Sequence, residues 1–173
     1  KAKEIISRLN DLSRKNTDTS FRLMSPDVLI RKTIAIAKPA KPENVQVKLD
    51  LNCDDQRLNA NEIQFTQLLL NLILNAFHAM DEGGTLSVIT SFDEAHIHIR
   101  IGDTGCGMSS EVQKKIFEPF FTTKDSGRGT GLGLAIVAQA VEDHRGKIMV
   151  NSKEGEGTTF HIRFPRVVTN RES

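Results

Sequence analysis

Between residues 62 and 80 the chain reads EIQFTQLLLNLILNAFHAM, apolar on almost every helical face. That density of Leu, Ile, Phe and Ala predicts a helix inside a core rather than on a surface. One stripe interrupts it. Gln67, Asn71, Asn75 and His78 recur at steps of four, four and three, so they share a face. The stripe carries amides and an imidazole but no Lys, Arg, Asp or Glu, unlike a face turned to water. Asn inside a helix costs about half a kcal/mol relative to Ala, and a buried amide needs a polar partner. The stripe therefore reads as one wall of a ligand pocket.

The flanking patterns predict the other elements. Residues 1–15 place Ile5, Leu9 and Leu12 on one face among charges, an amphipathic helix end too short to stand alone. It either folds back on the domain or belongs to a dimer or bundle. Residues 16–24 are polar and read as a linker. Ser25-Pro26-Asp27 is a helix start, with Ser as cap, Pro in the first turn and an acid at the positive end. That helix runs to about residue 38, where Pro39 and Pro42 stop it. Residues 45–51 alternate as a half-buried strand, and a short edge strand is expected at 56–58. Asn61 is the expected cap of the central helix. Strands follow at 85–92 and 95–101. The second alternates strictly, turning Ile97, Ile99 and Ile101 inward and His96, His98 and Arg100 outward. A short helix at 109–116, an irregular stretch at 117–130, a helix at 132–141 and strands at 147–151 and 158–164 complete the order. The reading is an α/β two-layer sandwich, a mixed sheet with helices on one face. It spans residues 25–165, with a tail at 166–173.

Composition narrows the function classes. With 38% hydrophobic and 26% charged residues the chain is an ordinary globule, and a net charge of +1 gives no reason to expect nucleic acid or a membrane surface as partner. Two cysteines, Cys53 and Cys106, form neither a disulfide framework nor a zinc pattern, which suits a reducing cytosol. No apolar run approaches the roughly 20 residues that span a bilayer. The chain opens on Lys1 within a helical pattern, so it reads as a piece of something longer whose upstream part could be membrane-anchored. His96-x-His98 is read as a solvated strand face rather than a metal site, for want of a third ligand nearby in sequence.

Three stretches carry chemistry. Gly102-Asp103-Thr104-Gly105-Cys106-Gly107-Met108 follows a strand directly, and the Asp103 carboxylate at the strand end can accept from an exocyclic amine such as that of adenine. Gly127-Arg128-Gly129-Thr130-Gly131-Leu132-Gly133-Leu134 opens a helix, where unpaired N–H groups and the dipole suit phosphate. It is neither a Walker A loop nor a dinucleotide fingerprint, because the spacing and the following residues differ. Between them, Phe117, Phe120 and Phe121 are expected out of water, pinning the base of a lid from which Lys124 and Arg128 reach phosphates. Amide oxygens and phosphates together suit magnesium.

Taken in order, Asn71-x-x-x-Asn75, Asp103-x-Gly105-x-Gly107, Phe117-x-Pro119-Phe120 and Gly129-x-Gly131-x-Gly133 resemble the asparagine, first glycine, phenylalanine and second glycine boxes of the Bergerat-fold ATP-binding domain. The closer resemblance is to the catalytic domain of bacterial sensor histidine kinases of the nitrogen-regulation-like type. It implies that Asn75 ligates Mg²⁺ with Asn71 assisting, and that Asp103 binds the adenine amine with Gly105 and Gly107 beside the ring. It implies Lys124 and Arg128 as lid contacts, and residues 129–133 (Gly129, Thr130, Gly131, Leu132, Gly133) as the phosphate cradle. Thr158 would reach adenine through water. His78 stands where many such kinases have Lys, a departure that weakens its phosphate role. None of the five histidines is followed by Asp or Glu, so the phospho-acceptor is expected upstream. The implied partners are ATP, that upstream dimerisation and phosphotransfer domain, of which residues 1–15 would be the end, and a response-regulator receiver domain, in a homodimeric full protein. The competing readings are a Bergerat-fold ATPase, an anti-sigma-type serine kinase and a docking module without catalysis. Hydrolysing relatives place a carboxylate where this chain has Asn71, and an amide is a poor base.

Overall fold

The computed structural model describes residues 20–123 and 130–168. Helix starts fall where their caps predict. Ser25 accepts from Val28 N–H at 3.4 Å and opens α1 (Pro26–Ala37), which closes in a single 3-10 turn at Lys38–Ala40. Asn61 accepts from Gln64 N–H at 3.0 Å and opens α2 (Glu62–Ala79). Ser109 caps the short α3 (Ser110–Gln113), and α4 (Gly133–Asp143) follows the glycine-rich stretch.

A five-stranded mixed sheet supports these helices. Its strands are β2 (Val45–Asp50), β4 (Gly84–Phe92), β5 (His96–Asp103), β6 (Lys147–Lys153) and β7 (Gly157–Pro165), in the order β2-β4-β5-β7-β6. β2 runs parallel to β4; every other neighbouring pair is antiparallel. Ile97 and Ile99 are fully buried while Arg100 is exposed, so alternation divides the sheet as expected. The inner face meets α2, whose Phe65, Leu68 and Leu69 have no exposed surface, in one core with Leu86, Val88, Ile162 and Phe164. Each such side chain contributes roughly 1.5–3 kcal/mol through burial.

The structure departs from the pattern reading at the edges. The expected linker contains a strand, β1 (Arg22–Met24), antiparallel to β3 (Leu58–Ala60) in a separate two-stranded sheet. β3 itself lies two residues beyond the expected edge strand, because Leu58 and Ala60 are the positions that can be buried. The expected tail also begins late. Arg166 N–H donates to Ala95 C=O and Val167 N–H to Arg57 C=O, each at 2.9 Å. The helix expected at residues 1–15 lies outside the described residues.

Two buried polar groups lock the helices. Asp27, with no exposed surface, accepts from Cys53 N–H at 2.7 Å and from the Thr90 hydroxyl at 2.8 Å. Thr90 in turn accepts from Asn52 N–H at 2.8 Å, so one carboxyl joins α1, β4 and the chain leaving β2. Burial pushes the neighbouring Cys53 thiol up, which keeps it inert.

His144, at the end of α4, is the second. Its Nδ1–H donates to Ala140 C=O at 2.6 Å and its Nε2 accepts from Asn61 N–H at 3.1 Å, among the rings of Phe21, Phe65 and Phe164. Only the neutral ring serves both contacts, since a proton on Nε2 would oppose Asn61 N–H. Burial accordingly lowers its pKa below 6.5. The unfolded chain takes up this proton first on acidification. His144 therefore supports folding fully above about pH 6.5 and loses that support as pH falls from there through its lower folded value. We expect the urea midpoint to drop over that window, and to drop less in His144→Gln.

Candidate functional site

Four segments converge at one end of the sheet: the later turns of α2, the end of β5, the start of β7 and the start of α4. Strand register sets Asp103 opposite Thr158, both on the helix-covered face. Asp103 Oδ1 accepts from Gly105 N–H at 2.9 Å, and the Thr158 backbone N–H also favours the ionised carboxylate. Desolvation by burial nevertheless raises its pKa, against the lowering effect of the two N–H groups.

The glycine loop is fastened to α2. Cys106 N–H donates to Ala79 C=O at 3.1 Å. A Cβ on Gly105 would stand 2.4 Å from that same oxygen, and one on Gly107 would stand 1.9 Å from Lys153 C=O. Both glycines are thus required by the protein's own backbone, a different reason from the ligand approach expected of them. Cys106 itself is exposed and Cys53 buried; both are free thiols.

The amide stripe grades from interior to surface. Asn71 is 8% exposed, Asn75 is half-buried and His78 is exposed. Asn71 Nδ2 has no hydrogen-bond partner among the described residues. Oδ1 of the same amide faces the first residue of α4, 3.8 Å from where a Gly133 Cβ would stand. A buried amide with an unpaired end is rare unless a ligand or water completes it. Leu132, the N-cap of α4, makes no side-chain capping bond. The donors of that first turn are left to face the same space as Asn71. Thr130 is turned to its own loop, accepting from Leu132 N–H at 3.4 Å.

Phe120 N–H donates to Gly131 C=O at 2.9 Å, which closes the base of the segment between the two. Gly131 has φ +66° and abuts Phe120 so closely that only glycine fits. Phe117 and Phe121 pack against the core, but Phe120 is 74% exposed, contrary to expectation. Its own φ of +67° aims the side chain outward, so it fastens the segment through backbone alone. Lys124, Arg128 and Gly129 lie outside the described residues.

Ser152 and Gln113 were not singled out from sequence. Ser152 continues the inward alternation of Ile148 and Val150, the one signal that could have found it. Away from the site, on the outer sheet face, His98 Nδ1 lies 3.1 Å from His161 Nε2 and His98 Nε2 lies 2.9 Å from Asp93 Oδ2. The His98 bond and the N–H groups of Ala95 and His96 hold Asp93 well below the usual carboxylate range. Among the described residues no three His, Cys, Asp or Glu side chains converge on a metal position.

Residues 60–168 match the sequence profile of the histidine kinase-, DNA gyrase B-, and HSP90-like ATPase family. The chain belongs to that family. Within this ATPase family it is 41% identical over 139 residues to Sporulation kinase E of Bacillus subtilis, an overlap of 79% of this chain and 19% of the relative. It is 35% identical over 169 residues to Sensor histidine kinase ZraS of Escherichia coli K12, an overlap of 97% of this chain and 36% of the relative. The chain thus spans about a fifth to a third of the length of these curated relatives. The catalytic domain of histidine kinase ThkA shares the fold at a TM-score of 0.76 and 30% identity, over 85% of this chain and 96% of that one. The mixed sheet with helices is the architecture of histidine kinase catalytic domains, as the sequence implied.

Proposed function

We propose that this chain is the Mg-ATP-binding catalytic unit of a two-component sensor histidine kinase. It presents the γ-phosphoryl group to a histidine of an upstream helical domain, from which a response-regulator aspartate receives it, in a homodimeric protein. The observation that carries the reading is Asn71, buried with an unpaired amide, against the uncapped start of α4. Asp103 accepts from the adenine amine, with Gly105 and Gly107 beside the ring and Thr158 at the same corner. Asn75 and Asn71 offer amide oxygens to Mg²⁺, whose part when bound is to neutralise phosphate charge. N–H groups at residues 131–133, together with Gly129 and Thr130, cradle the phosphates. His78, at the outer end of the stripe, and the cations Lys124 and Arg128 serve as the phosphate contacts. Transfer of this kind is mainly positioning and charge neutralisation. Asn71 cannot take a proton from water, so the chain favours transfer over hydrolysis. No described helix is long and apolar enough to cross a membrane, and we place the unit on the cytoplasmic side where ATP is available.

Calorimetric titration and incubation with γ-labelled ATP test this. The chain should bind ATP only with Mg²⁺ and should acquire no label itself. A separately supplied phosphotransfer domain should acquire acid-labile label. His98→Ala, on the outer sheet face, should change neither result. Acid-stable label on this chain, or rapid release of inorganic phosphate, would count against the proposal.

A further inference from the structure

Ser152 is half-buried on β6, and its hydroxyl is a three-way junction. Oγ lies 2.8 Å from Met108 N, 2.9 Å from Gly157 O and 2.8 Å from Thr158 Oγ1. A serine hydroxyl has one proton and two acceptor lone pairs. Met108 N–H can only donate and Gly157 C=O can only accept. One assignment satisfies all three contacts: Ser152 accepts from Met108, donates to Gly157 and accepts the proton of Thr158. Gln113 stiffens the junction, its Nε2 donating to Ser152 C=O at 2.9 Å and Met108 C=O at 3.1 Å.

The consequence reaches the base pocket. Thr158 spends its hydroxyl proton on Ser152. Of these two side chains, what remains for a ligand is the Asp103 carboxylate and the Thr158 hydroxyl lone pairs, both acceptors. We propose that Ser152 is a positioning residue for purine selectivity, holding Thr158 as an obligate acceptor so that the site takes adenine and rejects guanine. Adenine presents an amine where guanine presents a carbonyl oxygen, and acceptor against acceptor leaves both unpaired. This inference rests on the adenine reading of Asp103.

The test measures dissociation constants for Mg-ATP and Mg-GTP on the whole 173-residue chain, as wild type, Ser152→Ala, Ser152→Thr, Thr158→Val and the Ser152→Ala/Thr158→Val double variant. Ser152→Ala frees the Thr158 hydroxyl to donate, and the ATP-over-GTP preference should fall about tenfold. Ser152→Thr should restore it. In the Thr158→Val background the serine change should leave the preference unaltered, since it acts through the missing hydroxyl. Equal weakening of both nucleotides by Ser152→Ala, the expected result for a merely structural serine, overturns the proposal. So does a full preference retained by Thr158→Val, which stands as a test even if Ser152→Ala folds poorly. A wild-type chain that binds neither nucleotide overturns the adenine reading beneath it.

Discussion

Asp103→Ala should lower affinity for Mg-ATP by about a hundredfold, the largest effect expected of any single change in the site. A hydrogen bond to a charged group contributes about 1.5–3 kcal/mol, roughly ten- to 150-fold in affinity. The upper part of that range applies because the carboxylate is already oriented by the Gly105 N–H before a ligand arrives. Little reorganisation is then left for binding. Acidity gives an independent signature. Burial raises the Asp103 pKa, and a donor ligand favours the ionised form. Affinity should therefore be level at neutral pH and fall as pH drops through that raised value. The stability contribution has the opposite sense. A raised folded pKa favours folding most below the ordinary carboxylate value of 3.8, and that advantage is lost as pH rises through the folded pKa. Asp103→Asn, which keeps an acceptor but not the charge, should sit between the two, and its affinity should no longer vary over this window. Calorimetric titration across pH reads all of this. An alanine variant within about threefold of wild type would remove Asp103 from the base pocket, because a typical neutral hydrogen bond, worth about 1 kcal/mol or roughly fivefold, exceeds that.

What the sequence disclosed follows from how local each signal is. Ser25 and Asn61 cap their helices because a cap acts within three residues, inside the reach of pattern reading. The amide stripe was visible for the same reason, since helical periodicity alone puts Asn71 and Asn75 on one face. Non-local pairing escaped. β1 is three residues long and acquires its meaning from β3, more than thirty positions later, so its polar surroundings read as a linker. Ser152 meets Met108 across 44 residues, and nothing beside it in the chain announces the contact. His144 looked like any other histidine until the fold set it against Asn61, 83 positions away. Phe120 failed differently. Apolar identity argues for burial, but its positive φ is decided by the bond to Gly131 and overrides that preference. Gly105 and Gly107 were marked as special positions, but the backbone oxygens of Ala79 and Lys153 that exclude a side chain there could not be read from sequence, which shows that a side chain is excluded without showing what excludes it.

Asp27→Ala should reduce the free energy of unfolding by about 3–5 kcal/mol, the largest stability effect expected in the molecule. Two donors lose their acceptor at once. Cys53 N–H and the Thr90 hydroxyl both end on this carboxyl, and all three residues have no exposed surface. An unsatisfied buried donor costs roughly 1–3 kcal/mol, and the acid also sits in the first turn of α1 where the helix dipole favours it. Thr90 can turn its hydroxyl elsewhere, but Asn52 N–H already occupies one of its lone pairs, so relaxation is limited. Domains of this size unfold with about 5–15 kcal/mol, so the variant stands near the threshold of folding. With a urea slope of about 1–3 kcal/mol/M, the midpoint should fall by one molar or more. Asp27→Asn, which retains an acceptor oxygen for one donor but turns an NH2 donor toward the other, should lose about half as much. Thr90→Val isolates the weaker arm at roughly 1–2 kcal/mol. Because Asp27 accepts from Cys53 and Thr90, neither of them a nucleotide contact named above, the folded fraction should keep its affinity for Mg-ATP, and saturating nucleotide should recover part of the lost midpoint by mass action. A shift below about 1 kcal/mol for the alanine variant would mean that water enters and replaces the carboxyl, and that this junction is not what fixes α1 to the sheet.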